Sequence, residues 1–466
     1  MPQPLKRKLI DLLGADAIRD DPAALAEHSG DRWSSTHEPE VVVFGESAAQ
    51  LGKLMKFASR HGIPVTPRGA GVGYVGGCVP SHGGIALSLA RMNRIKEISP
   101  GDFAAVVEPG VITGVLKTAA RGLGLFYPPD PSSLKECSIG GNIATNAGGP
   151  RCLKYGVTRN YVLGLEVVLA DGRILRLGGR THKNKTGFDV LGLFVGSEGL
   201  LGIVTEATLK LLPLPPARST LSASFATLRQ AAKAVQEIFR AGFLPAALEI
   251  ADAFTLESAR KFLGESVVPA GNAHLLIDLD GQAASVDAET GLLKTLLAAL
   301  KATHIDTAFG EEACDALWGL RRAFSDSLKA TGLTKLNEDI VVPRGRLVAL
   351  VEFAARLRRK YGFPVACFGH AGDGNIHVNI MAADYAKPAV AREVRRALDE
   401  LFSQVLEWGG VITGEHGIGL AKKPWWKAAV SANNRAVHAA LKNALDPLGI
   451  LNPGKFLPAA KPRADR

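Results

Sequence analysis

A glycine- and proline-rich stretch at residues 126–159, FYPPDPSSLKECSIGGNIATNAGGPRCLKYGVTR, constrains this chain more than any other segment. It has too few periodic apolar residues for a long helix and too many glycines for an ordinary strand. The paired glycines at 140–141 and 148–149 would let the backbone lie close to a ligand, because glycine has no Cβ. Neutral polar side chains lie between the two pairs. The stretch therefore suits a large, flat ligand rich in heteroatoms, whereas a plain surface loop would not account for its length.

Composition limits the class of protein. A chain of 466 residues holds about two to four domains, and its 51 glycines exceed the usual share of about 7%. The formal net charge of +10 favours anionic partners in general. The basic residues are scattered, however, and no nucleic-acid-binding module is recognisable, so we expect no nucleic-acid partner.

The cysteines and the apolar runs indicate the compartment. Five cysteines are dispersed along the chain without a CxxC pair, at Cys78, Cys137, Cys152, Cys314 and Cys367. Such a set indicates neither a zinc ribbon nor an iron–sulfur cluster and is typical of free thiols in a reducing compartment. No apolar run approaches the ~18 residues of a membrane span, and the N-terminus is a poor signal peptide. We expect a cytoplasmic protein without an integral membrane segment, with peripheral association at the inner face of the membrane as a second option.

The segment PRGAGVGYVGG at residues 67–77 matches GxGxxG through Gly71, Gly73 and Gly76. A Rossmann dinucleotide site needs a helix that opens at these glycines. Here CVPSHGG follows, and then the strand-like IALSL. The sequence therefore predicts a turn and a strand, with a loop whose successive backbone N–H groups bind a pyrophosphate.

The rest of the chain alternates helical and strand-like patterns, which predicts an α+β protein. Strands are predicted at residues 104–109, 247–250, 274–279, 365–368 and 376–380, helices at 111–122, 228–240, 287–302, 315–329 and 347–361, and a hairpin at 163–177. Pro213, Pro215 and Pro216 mark a domain boundary. We predict three parts: residues 1–216, residues 217–424 with an antiparallel sheet, and C-terminal helices and a tail at 425–466.

Two separate motifs, FGHAGDGNIHVNI at residues 368–380 and GEHGIG at 414–419, carry histidines beside glycines. His370 and His377 flank one tight connection between strand-like segments, so their rings can converge. Glu415 and His416 lie in a glycine-rich loop after an apolar pair. Two imidazoles and a carboxylate on a common face form a divalent-metal site with open positions. We predict His370, His377 and Glu415 as metal ligands, with zinc preferred and manganese or iron as alternatives.

These separated motifs resemble the FAD-dependent D-2-hydroxyacid dehydrogenases, which include D-lactate and D-2-hydroxyglutarate dehydrogenases and the flavin subunit of glycolate oxidase. The resemblance implies a two-part FAD-binding domain of the vanillyl-alcohol-oxidase type at residues 1–216 and a ferredoxin-like substrate- and metal-binding cap at 217–424. It implies that the tail at 425–466 returns to the FAD-binding domain. It also implies non-covalent FAD, because no histidine stands in the 67–77 loop. The positions that match the cofactor contacts of the family are Pro67, Arg68, Gly69, Ala70, Gly71, Val72, Gly73, Pro131, Ser132, Ser138, Gly140, Gly141, Asn142, Thr145, Ala147, Gly148, Tyr155, Gly156, Glu198, Gly199, Gly202, Ile203, Val204 and Asn452.

Oxidation of a 2-hydroxy acid removes the proton of the hydroxyl and the hydrogen of the α-carbon, which leaves as a hydride. The carboxylate must be held still while this happens. His416, with an unperturbed pKa of ~6.5, suits the role of general base. Arg321 is predicted to hold the carboxylate through its bidentate guanidinium, and Arg322 is its rival. The spacing Trp318-x-x-Arg321 resembles the family's substrate motif, as does Asn379, and Ser325 falls one helical turn after Arg321.

The choice of acid depends on a lysine. Relatives that use D-2-hydroxyglutarate carry a lysine shortly before an Asp-x-x-x-Pro element, which here spans residues 339–343. Asn337 matches that position in the motif, and Lys335 lies two residues earlier. Without a lysine at that position the second carboxylate of a dicarboxylic acid has no predicted partner, which favours a short monocarboxylate such as D-lactate or glycolate.

Three alternatives stay open. The acid could be D-2-hydroxyglutarate, the chain could be a glycolate oxidase flavin subunit that needs an iron–sulfur partner, or it could be a non-redox flavin enzyme such as an ether-lipid synthase. In the first two cases, as in the main hypothesis, an external acceptor takes the electrons. We also expect a homodimer.

Overall fold

A computed structural model describes residues 1–457 of the chain and divides it into two compact units. The first unit comprises Met1–Gly148, Val157–Leu214 and residues 415–457. The second comprises Gly149–Gly156 and Pro215–Gly414. Residues 149–156 thus group with the second unit although the chain on both sides of them belongs to the first.

The elements up to residue 214 are mostly short strands. They are α1 Gln3–Leu13, β1 Ile18–Arg19, α2 Pro22–Glu27, β2 Val41–Phe44, α3 Ala48–His61, β3 Val65–Arg68, β4 Ile85–Ser88, β5 Ile95–Ser99, β6 Ala104–Val107, α4 Thr113–Arg121, β7 Leu125–Phe126, α5 Ile139–Thr145, α6 Cys152–Tyr155, β8 Val162–Val168, β9 Ile174–Gly178, α7 Val190–Phe194, β10 Ile203–Lys210 and β11 Leu212–Pro213.

Longer helices and strands follow. They are β12 Ala217–Phe225, α8 Leu228–Arg240, β13 Ala247–Asp252, α9 Ala253–Leu263, β14 Ala273–Gly281, α10 Ala283–Ala299, β15 His304–Phe309, α11 Glu311–Lys329, β16 Thr334–Val341, α12 Leu347–Tyr361, β17 Val365–His370, β18 Asn375–Ala382, α13 Pro388–Glu407, α14 Trp426–Ala429 and α15 Ala432–Leu445.

The first unit contains two main sheets. One has the order β1-β2-β4-β3, in which β4 runs parallel to both β2 and β3. The other has the order β5-β6-β10-β8-β9 and is antiparallel throughout. The α3 helix packs on the first sheet, because its apolar face meets the buried Val41 and Val43 in one core. Ser47 caps α3 by accepting a hydrogen bond from the Gln50 N–H, and Gly62 ends it in the left-handed conformation.

The second unit is built on one seven-stranded sheet with the order β15-β12-β14-β13-β17-β18-β16. All of its neighbouring strands are antiparallel, which confirms the predicted antiparallel sheet and the α+β class. The α9 and α11 helices cover one face of this sheet, where Leu256 and Phe324 pack against Phe368 and Met381.

No helix within residues 1–457 is both long and apolar enough to cross a membrane. The first helix is α1, and most of its side chains are exposed.

Candidate functional site

The side chains of two histidines and one glutamate converge at one end of the seven-stranded sheet. The ligand atoms of His370, His377 and Glu415 all lie within 4.8 Å of one another. His370 ends β17 and His377 lies in β18, so the turn between the strands brings their ring centroids to 5.8 Å. Both histidines are buried. The structure therefore brings together the three predicted metal ligands, and their two nitrogens and one carboxylate match a divalent-metal donor set.

A buried aspartate anchors the chain that leads to Glu415. Asp339 in β16 lies directly opposite His377 in the sheet register. One of its carboxylate oxygens accepts hydrogen bonds from the Thr413 hydroxyl at 3.0 Å and the Gly414 N–H at 2.9 Å. Gly414 immediately precedes Glu415, the third predicted metal ligand. The Asp339 carboxylate therefore fixes the point at which the chain of Glu415 leaves the sheet.

Glu249 is a buried carboxylate beside His370 and Arg321 that the sequence did not lead us to predict. It lies in β13, opposite His370, and only 1% of its surface is exposed. Its two oxygens contact His370 Nδ1 and Arg321 Nε, each at 2.6 Å. Burial alone would raise the pKa of Glu249, but the charges and hydrogen bonds of His370 and Arg321 outweigh it and lower the pKa to about 2. The available signal was an acidic residue inside the apolar run ALEIA, which predicts a buried, partnered carboxylate.

Arg321 is buried, whereas Arg322, the alternative carboxylate-binding arginine, is exposed. It projects from α11 with 8% of its surface exposed, and its Cζ lies 5.0 Å from the centroid of the Phe368 ring. Its Nη2 is buried and has no hydrogen-bond partner among residues 1–457. Arg322, by contrast, is exposed and donates a hydrogen bond to the Asp315 carbonyl. Of the two arginines, only Arg321 presents a buried donor to a ligand.

Lys335 lies beside the Phe368 ring, as Arg321 does. By motif spacing, Asn337 and not Lys335 matches the position of the family's substrate lysine. Its Nζ donates a hydrogen bond to the Ser325 hydroxyl at 2.7 Å and lies 5.9 Å from the centroid of the Phe368 ring. Burial, with the nearby charge of Lys329, lowers the pKa of Lys335 to about 8. The period of two along β16 could have located it, because Lys335, Asn337 and Asp339 must share one face of a strand.

Asn379 is completely buried in β18, on the face that carries His377. Its amide nitrogen donates to the carbonyls of Ala366 and His377, both at 3.1 Å. Its Oδ1 has no hydrogen-bond partner in the part of the chain that is described, and the same holds for Oδ1 of Asn337, directly opposite on β16. These two oxygens are further groups that a polar ligand could satisfy.

His416, the predicted base, follows Glu415 directly. Its Nε2 lies 3.7 Å from a Glu415 oxygen, so the predicted base and the predicted metal ligand are close neighbours. Its ring also lies 5.4 Å from that of Tyr74, at an angle of 37°. Tyr74 belongs to the 67–77 loop and was not predicted to have a role.

The 67–77 loop has the properties of an anion-binding loop. No helix follows its glycines, and the chain goes on through turns to β4, as predicted. Within the described residues, none of the backbone N–H groups of residues 69–73 donates a hydrogen bond. The Arg68 guanidinium lies under Gly71, where a Cβ would be 2.1 Å from it. A polar backbone loop of this kind, with unused donors, fits a pyrophosphate.

Several other predicted cofactor segments meet this loop inside the first unit. A Cβ on Gly69 would lie 2.5 Å from Ser138 Oγ, which caps α5 by accepting from the Gly141 N–H. The turn at residues 196–199 is bonded to α5 through the Glu198 N–H and the Ala144 carbonyl. The Asn452 side chain donates to the Glu198 carbonyl at 2.7 Å, which brings the C-terminal tail to the same place.

Some of the predicted cofactor residues use their groups within the protein. Asn142 is buried and donates to the Thr113 hydroxyl at 2.7 Å. Gly140 is needed for packing, since a Cβ there would lie 2.6 Å from Pro109. Tyr155 and Gly156 group with the second unit, and the Tyr155 hydroxyl donates to Asp280 at 2.8 Å. The contacts of these residues with a cofactor stay predictions, as do those of the other members of the set: Pro131, Ser132, Thr145, Ala147, Gly148, Gly202, Ile203 and Val204.

Two family models match separate parts of the chain. Residues 39–178 match the model of an FAD binding domain, and residues 214–456 match that of the C-terminal domain of FAD linked oxidases. The chain is 39% identical to the glycolate oxidase subunit GlcD of Bacillus subtilis, over 97% of this chain and 96% of that one. It is 35% identical to a D-lactate dehydrogenase of Anaerostipes hadrus, over 90% and 89% of the two chains.

Among solved structures, the 4-ethylphenol oxidase from Gulosibacter chungangensis superimposes with a TM-score of 0.79 at 22% identity, covering 99% of this chain and 97% of that one. At this identity the likeness shows the fold, and it confirms the predicted FAD fold of the vanillyl-alcohol-oxidase type. The matched FAD-binding domain supports FAD as the cofactor. With both domain models matched and full-length relatives above 30% identity, the chain belongs to the FAD-linked oxidase family.

Proposed function

We propose that the chain oxidises a D-2-hydroxy acid, with D-lactate as the first candidate, to the corresponding 2-oxo acid. The observation that carries the proposal is one buried group of side chains that contains a metal donor set and an arginine joined through Glu249. A metal and an anion-binding arginine together suit a substrate that has both a hydroxyl and a carboxylate. The names of the relatives, D-lactate dehydrogenase and glycolate oxidase subunit, agree with this substrate class.

His370, His377 and Glu415 would hold the metal. Two imidazoles and one carboxylate suit zinc, with manganese and iron as alternatives, and leave coordination positions for a substrate. A bound divalent ion would lower the pKa of a coordinated hydroxyl. His416, whose Nε2 lies 3.7 Å from Glu415, would take the proton that the hydroxyl loses.

Arg321 would hold the carboxylate of the acid. The free Nη2 is buried, so a carboxylate there would gain a charge-assisted hydrogen bond in a setting of low polarity. The Phe368 ring supports the guanidinium from one side. The Asn379 Oδ1 is a further polar contact within the same sheet. These groups keep the substrate in one orientation, which the hydride transfer requires.

FAD, when bound in the first unit, supplies the redox chemistry by accepting the hydride. The N–H groups of residues 69–73 would bind its pyrophosphate. The external electron acceptor, the homodimer and the cytoplasmic location stay predictions.

An anaerobic reduction experiment tests the proposed function. The purified yellow protein, loaded with zinc, is mixed without oxygen with D-lactate, L-lactate, glycolate or D-2-hydroxyglutarate. We expect the flavin absorbance to be bleached by D-lactate and not by L-lactate, because the held carboxylate and hydroxyl present the C–H of one enantiomer only. If none of the acids reduces the flavin with zinc, manganese or iron present, the proposed function is wrong.

A dicarboxylic acid such as D-2-hydroxyglutarate is a second candidate, favoured by the position of Lys335. Both Lys335 Nζ and Arg321 Cζ lie within 6 Å of the Phe368 ring centroid, at 5.9 Å and 5.0 Å. Two cations beside one ring could bind two carboxylates. The motif spacing alone gave no partner to the second carboxylate, so this candidate depends on the observed register of β16.

The lowered pKa of Lys335 predicts a pH dependence. Below pH 8 the ammonium is charged and attracts an anionic substrate, whereas above pH 8 it loses its proton and the attraction ends. We expect the KM for the acid to rise as the pH increases through about 8, and the rise to disappear in Lys335→Met. Lys329→Met should keep this rise but move it to higher pH, because the charge of Lys329 contributes to the lowered pKa of Lys335. An identical KM profile for wild type and Lys335→Met would remove Lys335 from the substrate site.

A further inference from the structure

We propose that Glu249 is the positioning residue that orients both the metal ligand His370 and the substrate-binding Arg321. The inference rests on the proposed function, because it assigns Glu249 to the same site. Glu249 is 1% exposed and lies opposite His370 in the adjacent strand. Because the two strands are paired, the backbone of Glu249 cannot move independently of that of His370. Each of its two oxygens serves a different partner, at 2.6 Å in both cases.

The contact with His370 decides which ring nitrogen is available to a metal. An ionised carboxylate can only accept hydrogen bonds. The Nδ1 of a neutral His370 must therefore carry the proton that it donates to Glu249. This leaves the lone pair on Nε2, and a metal-binding imidazole needs such a nitrogen. The carboxylate also fixes the plane of the ring.

The contact with Arg321 decides where the guanidinium points. Glu249 accepts from Nε–H, and the Phe368 ring lies beside the guanidinium with its centroid 5.0 Å from Cζ. With one edge bonded and one face packed, the guanidinium has little freedom to rotate. Its Nη2, which has no hydrogen-bond partner within residues 1–457, is then held in one direction for the acid.

The two contacts are coupled because they share one rigid carboxylate. Any rotation that improves one oxygen's hydrogen bond moves the other oxygen as well. Glu249 also neutralises the buried charge of Arg321, which would otherwise lack a compensating anion. One side chain thus sets the relative position of the metal and of the carboxylate donor, and these two must bind adjacent groups of the same substrate.

The variant Glu249→Gln tests this arrangement in the full-length, FAD-loaded protein. Glutamine keeps the shape but has one acceptor and one donor end, so it cannot accept from both partners. If its NH₂ faces His370, it forces the Nδ1 lone pair toward itself and the proton to Nε2, and zinc binding weakens. If its NH₂ faces Arg321, the guanidinium loses its acceptor and the substrate is held less well.

The measurement is a zinc titration of metal-stripped protein against a chromophoric chelator, followed by kinetics at saturating zinc. We expect Glu249→Gln to raise the zinc Kd by about 10–100-fold, to raise the KM for the acid by a similar factor, or both, with kcat less affected. Glu249→Asp, which keeps two acceptors, should restore part of the loss. Asp252→Asn removes a buried carboxylate three residues further along β13, away from both partners, and should leave the zinc Kd unchanged.

Either loss supports the proposal, whereas unchanged zinc Kd and KM in a folded Glu249→Gln overturn it. If the variant does not fold, the wild type still gives an answer through the ¹H–¹⁵N long-range spectrum of histidine-labelled protein, with His370 assigned by its loss in His370→Gln. A neutral His370 protonated at Nδ1 supports the proposal, and one protonated at Nε2 overturns it. Failure of the proposed function appears separately, as the absence of flavin bleaching by any acid in the wild type.

Discussion

His370→Ala should lose both the bound metal and the turnover of the acid. The substitution removes one of three protein ligands, and the two that are left cannot hold a divalent ion as tightly. Metal-ion stabilisation of developing charge contributes several kcal/mol. A loss of about 4 kcal/mol corresponds to a drop of about 10³-fold in kcat/KM. Metal content by mass spectrometry and kcat/KM, measured on the same sample, check the prediction.

His274→Gln is the matched control for this experiment. His274 is a buried histidine in the same sheet, where its Nε2 contacts the Ser222 hydroxyl at 2.8 Å, and it does not belong to the metal cluster. We expect it to keep both metal and turnover. If His370→Ala lost its metal and still oxidised the acid at the wild-type rate, the metal would have no catalytic role.

The second large effect is expected for Arg321→Lys. Lysine keeps the positive charge but lacks the planar fork, so it cannot bond Glu249 through one nitrogen and the acid through another. Loss of a buried, charge-assisted contact costs about 2–3 kcal/mol, which is about 30–160-fold in kcat/KM. Most of this should appear as a higher KM, since the contact holds the substrate before the reaction begins.

Arg322→Lys provides the neighbouring control, because Arg322 is exposed on the same helix. It should leave the KM unchanged. Zinc content is measured for both variants, so that a displaced Glu249 can be told apart from a lost substrate contact. Equal kinetic constants for Arg321→Lys and the wild type would assign the carboxylate to another residue.

Local sequence signals were sufficient for much of the fold. The α8 helix was predicted with the observed bounds, because Thr227 caps its start by accepting from the Gln230 N–H. The α12 helix also matched, and Gly362 ends it in the left-handed conformation. The β12 strand was not predicted, although it lies inside the sheet. Most of its residues are buried on both faces, so it lacks the alternation that identifies a strand.

Some residues of the candidate site could be predicted from local sequence, and others could not. His370 and His377 could be paired from the sequence because only a short turn separates them, and the Gly-rich segments could be recognised from composition and order. Glu249 could not be joined to His370, from which it is separated by 121 positions, because only the β13–β17 pairing makes them neighbours. The motif spacing favoured Asn337 over Lys335, and the pairing of β16 with β18 put both on one face.

Local sequence patterns thus predicted the helices with strong caps, the glycine loops and the antiparallel sheet of the second unit. They also predicted the types of side chain that the chemistry needs. The tertiary structure alone decided which carboxylate orients the ligand, which arginine is buried and where the lysine points. The physical reason is that caps and turns depend on residues a few positions apart. Strand order and register instead depend on side-chain packing summed over the whole sheet, and no short stretch of sequence contains that information.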